Sequence, residues 1–179
     1  MTADEFIAWA MEQPEGCHYE LVGGEVVTMA PERLGHAIVK GIFFRRIADE
    51  MARLGFDCTA LPGGVPLRIG NGIVYEPDAM LRCGPKLPYD TVGVDDPLVV
   101  VEVRSRSTGY RDSGLKLLDY FQLPSVRHYL IVRIEEKAVI HHRRETQDGT
   151  ITTTVVRDGP VVLDPPGMVL RDLFPADIG

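Results

Sequence analysis

Residues 97–105, PLVVVEVRS, set a glutamate inside a run of valines. An ionised carboxylate withdrawn from water costs on the order of several kcal/mol unless a partner offsets its lost hydration, so Glu102 needs a cation or a shared proton. Strand alternation places Leu98, Val100, Glu102 and Arg104 on one face and Val99, Val101 and Val103 on the other. Apolar residues on both faces predict a strand buried in mid-sheet, with Glu102 at its wet carboxyl end, where crossover sheets gather their ligands. A second carboxylate comes from residues 73–81, IVYEPDAML, which read as a strand that Pro77 bends or breaks, re-aiming Asp78. If the two strands are neighbours, Asp78 and Glu102 can converge. Two close carboxylates repel unless a proton or cation stands between them, and oxygen donors of this kind suit Mg²⁺ or Mn²⁺.

A third group follows on the next helix. In residues 107–126, STGYRDSGLKLLDYFQLPSV, a loop leads into helical spacing, with Asp112 or Ser113 as N-cap and Pro124 past the end. Lys116 falls near the helix start and Tyr120 one turn later on the same face, so both can hang over the open end of the glutamate strand. A lysine there can orient a nucleophile or stabilise charge on a phosphate. Plainer roles exist for each group. Glu102 can pair with Arg104, Asp78 can simply follow a proline into a loop, and Lys116 can be a solvated helix lysine.

The elements that must hold these groups are legible in outline. The first residues, DEFIAWAMEQ, have helical spacing with Phe6, Trp9 and Ala10 on one side. Gly23-Gly24 between two short apolar runs predicts a tight hairpin, because both central residues of a primed turn need positive φ. A long helix follows over residues 34–55 and stops at Gly55. Strands are expected in FDCTAL, GVPLRI and IVYEPDAML, and a loop that can move over residues 82–96. A hairpin joins RHYLIVRI to KAVIHHRRE, TITTTVVRDG adds a strand, and the tail offers a short strand or turn and one helical turn. The strand, loop, helix, strand passage over residues 98–134 has the form of a crossover unit. Together these predict an α/β fold, a central mixed β-sheet flanked by helices, in one domain over residues 1–179.

With 179 residues, 45% of them hydrophobic, the chain is long enough to bury such a core. It has no apolar run of membrane-spanning length and no signal-peptide pattern at its start, so a soluble cytoplasmic protein with no membrane partner is expected. Cys17, Cys58 and Cys83 form no CxxC pair and are expected as reduced packing residues. A net charge of -7 excludes coating of nucleic acid by bulk electrostatics but not a local basic groove, for which Arg45, Arg46, Arg104, Arg106, Arg111 and Lys116 are the candidates.

Three stretches, EPDAML, PLVVVEVRSRST and GLKLLDYFQLPSVRHYLIV, resemble the Uma-two family, restriction-endonuclease-like proteins of the PD-(D/E)xK nuclease superfamily. YELVGGEVVTMAPERLGH is similar to that family's N-terminal hairpin and helix start. The resemblance implies a restriction-endonuclease-like core with an added N-terminal hairpin, and Asp78 and Glu102 as ligands of Mg²⁺ or Mn²⁺. The superfamily's lysine stands two residues after the glutamate, where this chain has Arg104, so the role is expected of Lys116. Glu20, Glu25 and His36 match polar positions of the family and imply an outer shell, His36 having a structural role as its alternative. The activity implied is hydrolysis of DNA phosphodiesters by a homodimer. A non-catalytic binding or assembly module, and hydrolysis of a smaller phosphoester, remain the competing expectations.

Overall fold

The computed structural model describes residues 1–104, 110–145 and 149–175, and the side chains of 110–113 are left aside. The expected cap at Asp112 or Ser113, and Arg106 and Arg111 of the candidate groove, therefore lie outside what is described. Helix α1 (Ala3–Met11) starts at a capping box: Thr2 Oγ1 accepts from Glu5 N, and Glu5 returns a carboxylate oxygen to Thr2 N. Strands β1 (Tyr19–Val22) and β2 (Glu25–Thr28) form the expected hairpin, with φ of 58° at Gly23 and 85° at Gly24. Helix α2 (Leu34–Leu54) ends on Gly55 in the left-handed region, as its sequence predicts.

Six strands make the main sheet, in the order β10-β9-β8-β7-β6-β3. Strand β7 (Pro97–Arg104) lies in its middle, antiparallel to β6 (Ala79–Cys83) and parallel to β8 (His128–Arg133), and α3 (Tyr110–Tyr120) is the crossover between the parallel pair. Outside β8 come β9 (Ala138–Arg144) and β10 (Ile151–Val156), both antiparallel. Strand β3 (Cys58–Pro62) closes the other edge. A second sheet, ordered β2-β1-β5-β4, adds β4 (Leu67–Gly70) and β5 (Ile73–Tyr75) to the N-terminal hairpin. The expected single strand over residues 73–81 is thus two strands in two sheets. Pro77, which cannot donate to a ladder, stands where the chain leaves one sheet for the other.

The two faces of β7 belong to different cores. Val99, Val101 and Val103 pack with Val39, Phe43 and Ile47 of α2. Val100 packs with Tyr75, Met80, Tyr120 and Tyr129 on the α3 side. Phe6 and Ile7 of α1 cover Leu21 and Val74 of the smaller sheet. Among the described residues no helix is long and apolar enough to cross a membrane.

Three local expectations are corrected. Cys58 and Cys83 are joined by a disulfide, and Cys17 is exposed rather than packed. Nothing in their separation of 25 residues signals the bond, but the antiparallel pairing of β3 and β6 sets the two cysteines directly opposite each other. Arg82 does not begin a free loop: it lies buried in β6, its guanidinium donating to both oxygens of Asp96 at 2.6 and 3.0 Å and to Pro85 O at 2.7 Å. The tail forms a hairpin, β11 (Val161–Leu163) and β12 (Met168–Leu170), whose turn contains two cis X-Pro peptides. Residues 171–175 carry no helix, and 176–179 lie outside the described residues.

The loop after β6 is pinned at its far end too, since Val94 N donates to Pro66 O and Arg68 N to Val94 O. Gly93 makes that approach feasible. Its φ is 81°, and a Cβ there would come within 2.9 Å of Pro66 O. Gly93→Ala is expected to destabilise the protein by about 1–2 kcal/mol, measured by urea unfolding, because the strained φ and the backbone clash act together.

Candidate active site

Glu102 is buried, with only 5% of its surface exposed, so the wet strand end expected of it is in fact dry. Its partners come from α3 and from β7 itself. Lys116 Nζ donates to Glu102 Oε1 at 3.0 Å and to Glu20 Oε1 at 2.7 Å, and the Tyr120 hydroxyl also donates to Glu102 Oε1. The spacing of one helical turn that joins Lys116 to Tyr120 in the sequence delivers both to one carboxylate. Arg104 Nη2 lies 3.5 Å from Glu102 Oε2, so the simple pairing along the strand also occurs. Glu20 is carried in by β1 of the other sheet and accepts a further hydrogen bond from Glu76 N at 3.1 Å.

The walls of this cluster are aromatic. Lys116 Nζ sits 4.6 Å from the centre of the Tyr75 ring, whose hydroxyl donates to Asp119 at 2.5 Å. Tyr75, Tyr120 and Tyr129 follow one another edge to face or tilted. Burial pushes the Glu102 pKa up, but the charges of Lys116 and Arg104 and the hydrogen bonds from Tyr120 and Lys116 outweigh it and hold the group below the ordinary carboxylate range. Glu20 goes the other way: burial raises it, Lys116 offsets this in part, and the charge on Glu102 adds to the rise. Burial lowers Lys116, yet Glu102 and Glu20 more than compensate and its pKa is raised. Of the two carboxylates sharing one ammonium, Glu20 is therefore the first to take a proton.

Asp78 stands on the other side of the same peptide. Because β6 begins only at Ala79, Asp78 extends the ladder just before it: its N–H donates to Val101 O, and its Oδ2 accepts from Val103 N at 2.7 Å. Around it α2 supplies His36, whose Nε2 is 3.4 Å from Asp78 Oδ2 and 2.9 Å from Val103 O, and Lys40, whose Nζ is 4.0 Å from Asp78 Oδ1. Hydrogen bonding to Asp78 raises the His36 pKa, against the lowering by burial. Glu32 completes the group by pairing with Lys40.

The structure thus brings Glu102, Lys116, Tyr120, Arg104 and Glu20 together, and Asp78 with His36. Asp78 turns toward α2 and Glu102 toward α3, joined through the Val103 amide. Glu25 stands apart, exposed and opposite Val22 beside the hairpin turn. Among the described residues the candidate groove cations do not form one row: Lys116 and Arg104 face Glu102, while Arg46 lies 3.7 Å from Asp172. Sequence reasoning missed Glu32, Lys40 and Tyr75. The first two were visible with His36 as an i, i+4, i+8 series, disguised because the helix begins inside it.

Against known proteins, residues 3–173 match the family model described as "Putative restriction endonuclease", Uma2. The chain belongs to this family. An uncharacterized protein of Synechocystis sp. is 25% identical over 153 residues, covering 84% of this chain and 78% of its own. The crystal structure of a "putative nuclease belonging to DUF820" from Anabaena variabilis superposes with a TM-score of 0.72 over 97% of both chains at 14% identity. That likeness shows the fold, a restriction-endonuclease-like mixed sheet between helices. Membership of Uma2 is what the three sequence stretches imply.

Proposed function

We propose that this Uma2 protein is a divalent-metal-dependent endonuclease that hydrolyses DNA phosphodiesters, with Asp78 and Glu102 as the metal carboxylates and Lys116 beside Glu102. The observation that carries this reading is the Val103 amide, which ties Asp78 to the residue after Glu102, within a family of restriction-endonuclease type. The donor chemistry fits Mg²⁺ or Mn²⁺: both carboxylates are oxygen donors, and the Lys40 ammonium stands 4.0 Å from Asp78 Oδ1, beyond hydrogen-bond range. When bound, such an ion supplies Lewis acidity toward the phosphate and a lowered pKa for water. The chain's own contribution is positional. Lys116 and Tyr120 fix the Glu102 carboxylate, Arg104 balances its charge, Glu20 holds Lys116 from the opposite sheet, and His36 steadies Asp78. A homodimer, acting on two strands in the cytoplasm, belongs to the same proposal.

Plasmid and single-stranded DNA incubated with the protein, with and without Mn²⁺ or Mg²⁺, test it. Cleavage is expected only with metal, and Asp78→Ala and Glu102→Ala each are expected to lower the rate roughly a hundred- to ten-thousandfold, the equivalent of several kcal/mol of lost charge stabilisation. Cleavage that survives both substitutions rules the site out. A second reading, a nuclease fold kept as a binding or assembly module, is favoured by one observation: each carboxylate turns toward a different helix and already faces a lysine. Binding of DNA without cleavage under any metal supports that alternative.

A further inference from the structure

A cavity of about 430 Å³ opens between the edge strand β3 and the loop that follows β6. That volume lies in the range of roughly 300–1,000 Å³ in which proteins enclose small organic molecules. The cavity is remote from Glu102. Thr59 and Arg82 face each other across β3 and β6 and both line it, and Arg82 lies opposite Pro97, at the other end of β7. Leu61, Val65, Leu87, Pro88 and Val94 give it apolar walls. The loop is held in this shape from both ends. Arg82 Nη1 donates to Pro85 O at 2.7 Å, Val94 N to Pro66 O at 2.9 Å, and between them Thr91 N closes a turn on Pro88 O at 3.1 Å. Tyr89 rides on that turn with its side chain in solvent, and Leu87 is 42% exposed, so apolar surface stands at the mouth for a bound molecule to cover. Charge is sorted as well. The chain has a net charge of -7, yet two cations and no carboxylate line the cavity. Arg82 is matched by Asp96 at 2.6 and 3.0 Å. Lys86 is exposed and has no ion pair or hydrogen bond among the described residues, so its ammonium is the unmatched charge of the site.

We infer that this cavity binds a small amphipathic organic anion, its apolar body against Leu61, Val65 and Val94 and its acidic head at Lys86. A cation of the same shape meets two like charges at the wall, and a wholly polar anion such as inorganic phosphate forgoes the apolar contact. The inference stands apart from the nuclease reading, because neither Asp78, Glu102 nor Lys116 lines the cavity.

Fluorescence titration of the whole protein with anilinonaphthalene sulfonate, an aromatic body bearing one sulfonate, tests the assignment. Saturable binding at one site is expected. Decanoate is expected to displace the probe at a concentration at least about tenfold below that needed with decyltrimethylammonium, a cation of equal chain length. Lys86→Met, which keeps the arm and removes the charge, is expected to weaken probe binding roughly fivefold, and Lys86→Arg to restore it. Thr59→Trp, at an exposed position of an edge strand that accepts an aromatic residue, is expected to fill the space and weaken binding more than about tenfold without lowering the midpoint of urea unfolding. Leu118→Ser, on the exposed apolar face of α3, is expected to leave binding unchanged. Binding that is lost in Leu118→Ser but kept in Lys86→Met and Thr59→Trp puts the probe on α3 and overturns the inference. Equal displacement by the two decyl compounds overturns it too, as does the absence of saturable binding at millimolar probe.

Discussion

Lys116→Met is expected to lower the unfolding free energy by about 3–5 kcal/mol at pH 8, because it leaves Glu20 and Glu102 buried in one pocket without the ammonium they share. The loss has a pH signature. Without Lys116 both carboxyl pKa values rise, so lowering the pH toward 5 protonates them in the fold before the unfolded chain, and the deficit against wild type shrinks. A mere packing defect does not behave this way. Adding Glu20→Gln to Lys116→Met is expected to recover part of the stability, since the remaining carboxylate keeps Arg104 as its partner. Denaturant titrations of the wild type and both variants at pH 8 and pH 5 decide it. A deficit that is equal at both values shows that the cluster is not held by charge.

Acidification between pH 6.5 and 4 is expected to destabilise the wild type through His128 and His141. The pair is buried where β8 meets β9, against the turn of the C-terminal hairpin. His128 Nε2 donates to Pro165 O at 2.7 Å, so its Nδ1 is the acceptor for His141 Nε2 at 2.9 Å. Both imidazoles are neutral in this arrangement. Burial lowers each pKa to about 4, with the positive charges of Arg143 and Arg127 adding at His128, and at His141 that of Arg143 and of His128 once it is protonated. Folded values below the unfolded one mean that the unfolded chain binds more protons as the pH falls through 6.5, so stability is lost from there down and levels off below about 4. At pH 5 the expected loss is about 2 kcal/mol for each imidazole, and less for the second to titrate because they share one hydrogen bond. Glu50, held at about pKa 2 by hydrogen bonds from Arg53 and Val169, acts in a separate window beneath this one. His128→Gln/His141→Gln is expected to flatten the dependence of unfolding free energy on pH above 4.5. Imidazole resonances that titrate near 6.5 in the folded protein contradict the assignment.

Features that depend on near neighbours in the chain were readable from the sequence. Gly23-Gly24 could only be a tight turn, Gly55 only a helix end, and the valine strand followed by an amphipathic helix only a crossover. Lys116 and Tyr120 were linked by one turn of helix, and Glu102 by its need for a partner. What stayed hidden depends on which sheet a strand joins. Nothing in IVYEPDAML says that Ile73–Tyr75 leaves with β1 while Ala79–Cys83 pairs with β7. Without that split, neither the turn of Asp78 toward α2 nor the arrival of Glu20 beside Lys116 can be foreseen. The Cys58–Cys83 bond and the His128–His141 pair were obscured for the same reason: each exists only through cross-strand register.

Glu20 and Glu102 belong to different sheets, and the ammonium between them is hidden from solvent. The two halves of the molecule are therefore clasped by a contact that dissolved salt weakens far less than a surface ion pair. Whatever draws Glu102 away from Lys116 also loosens the grip on the N-terminal hairpin, so an event at the central strand is felt at the molecule's rim.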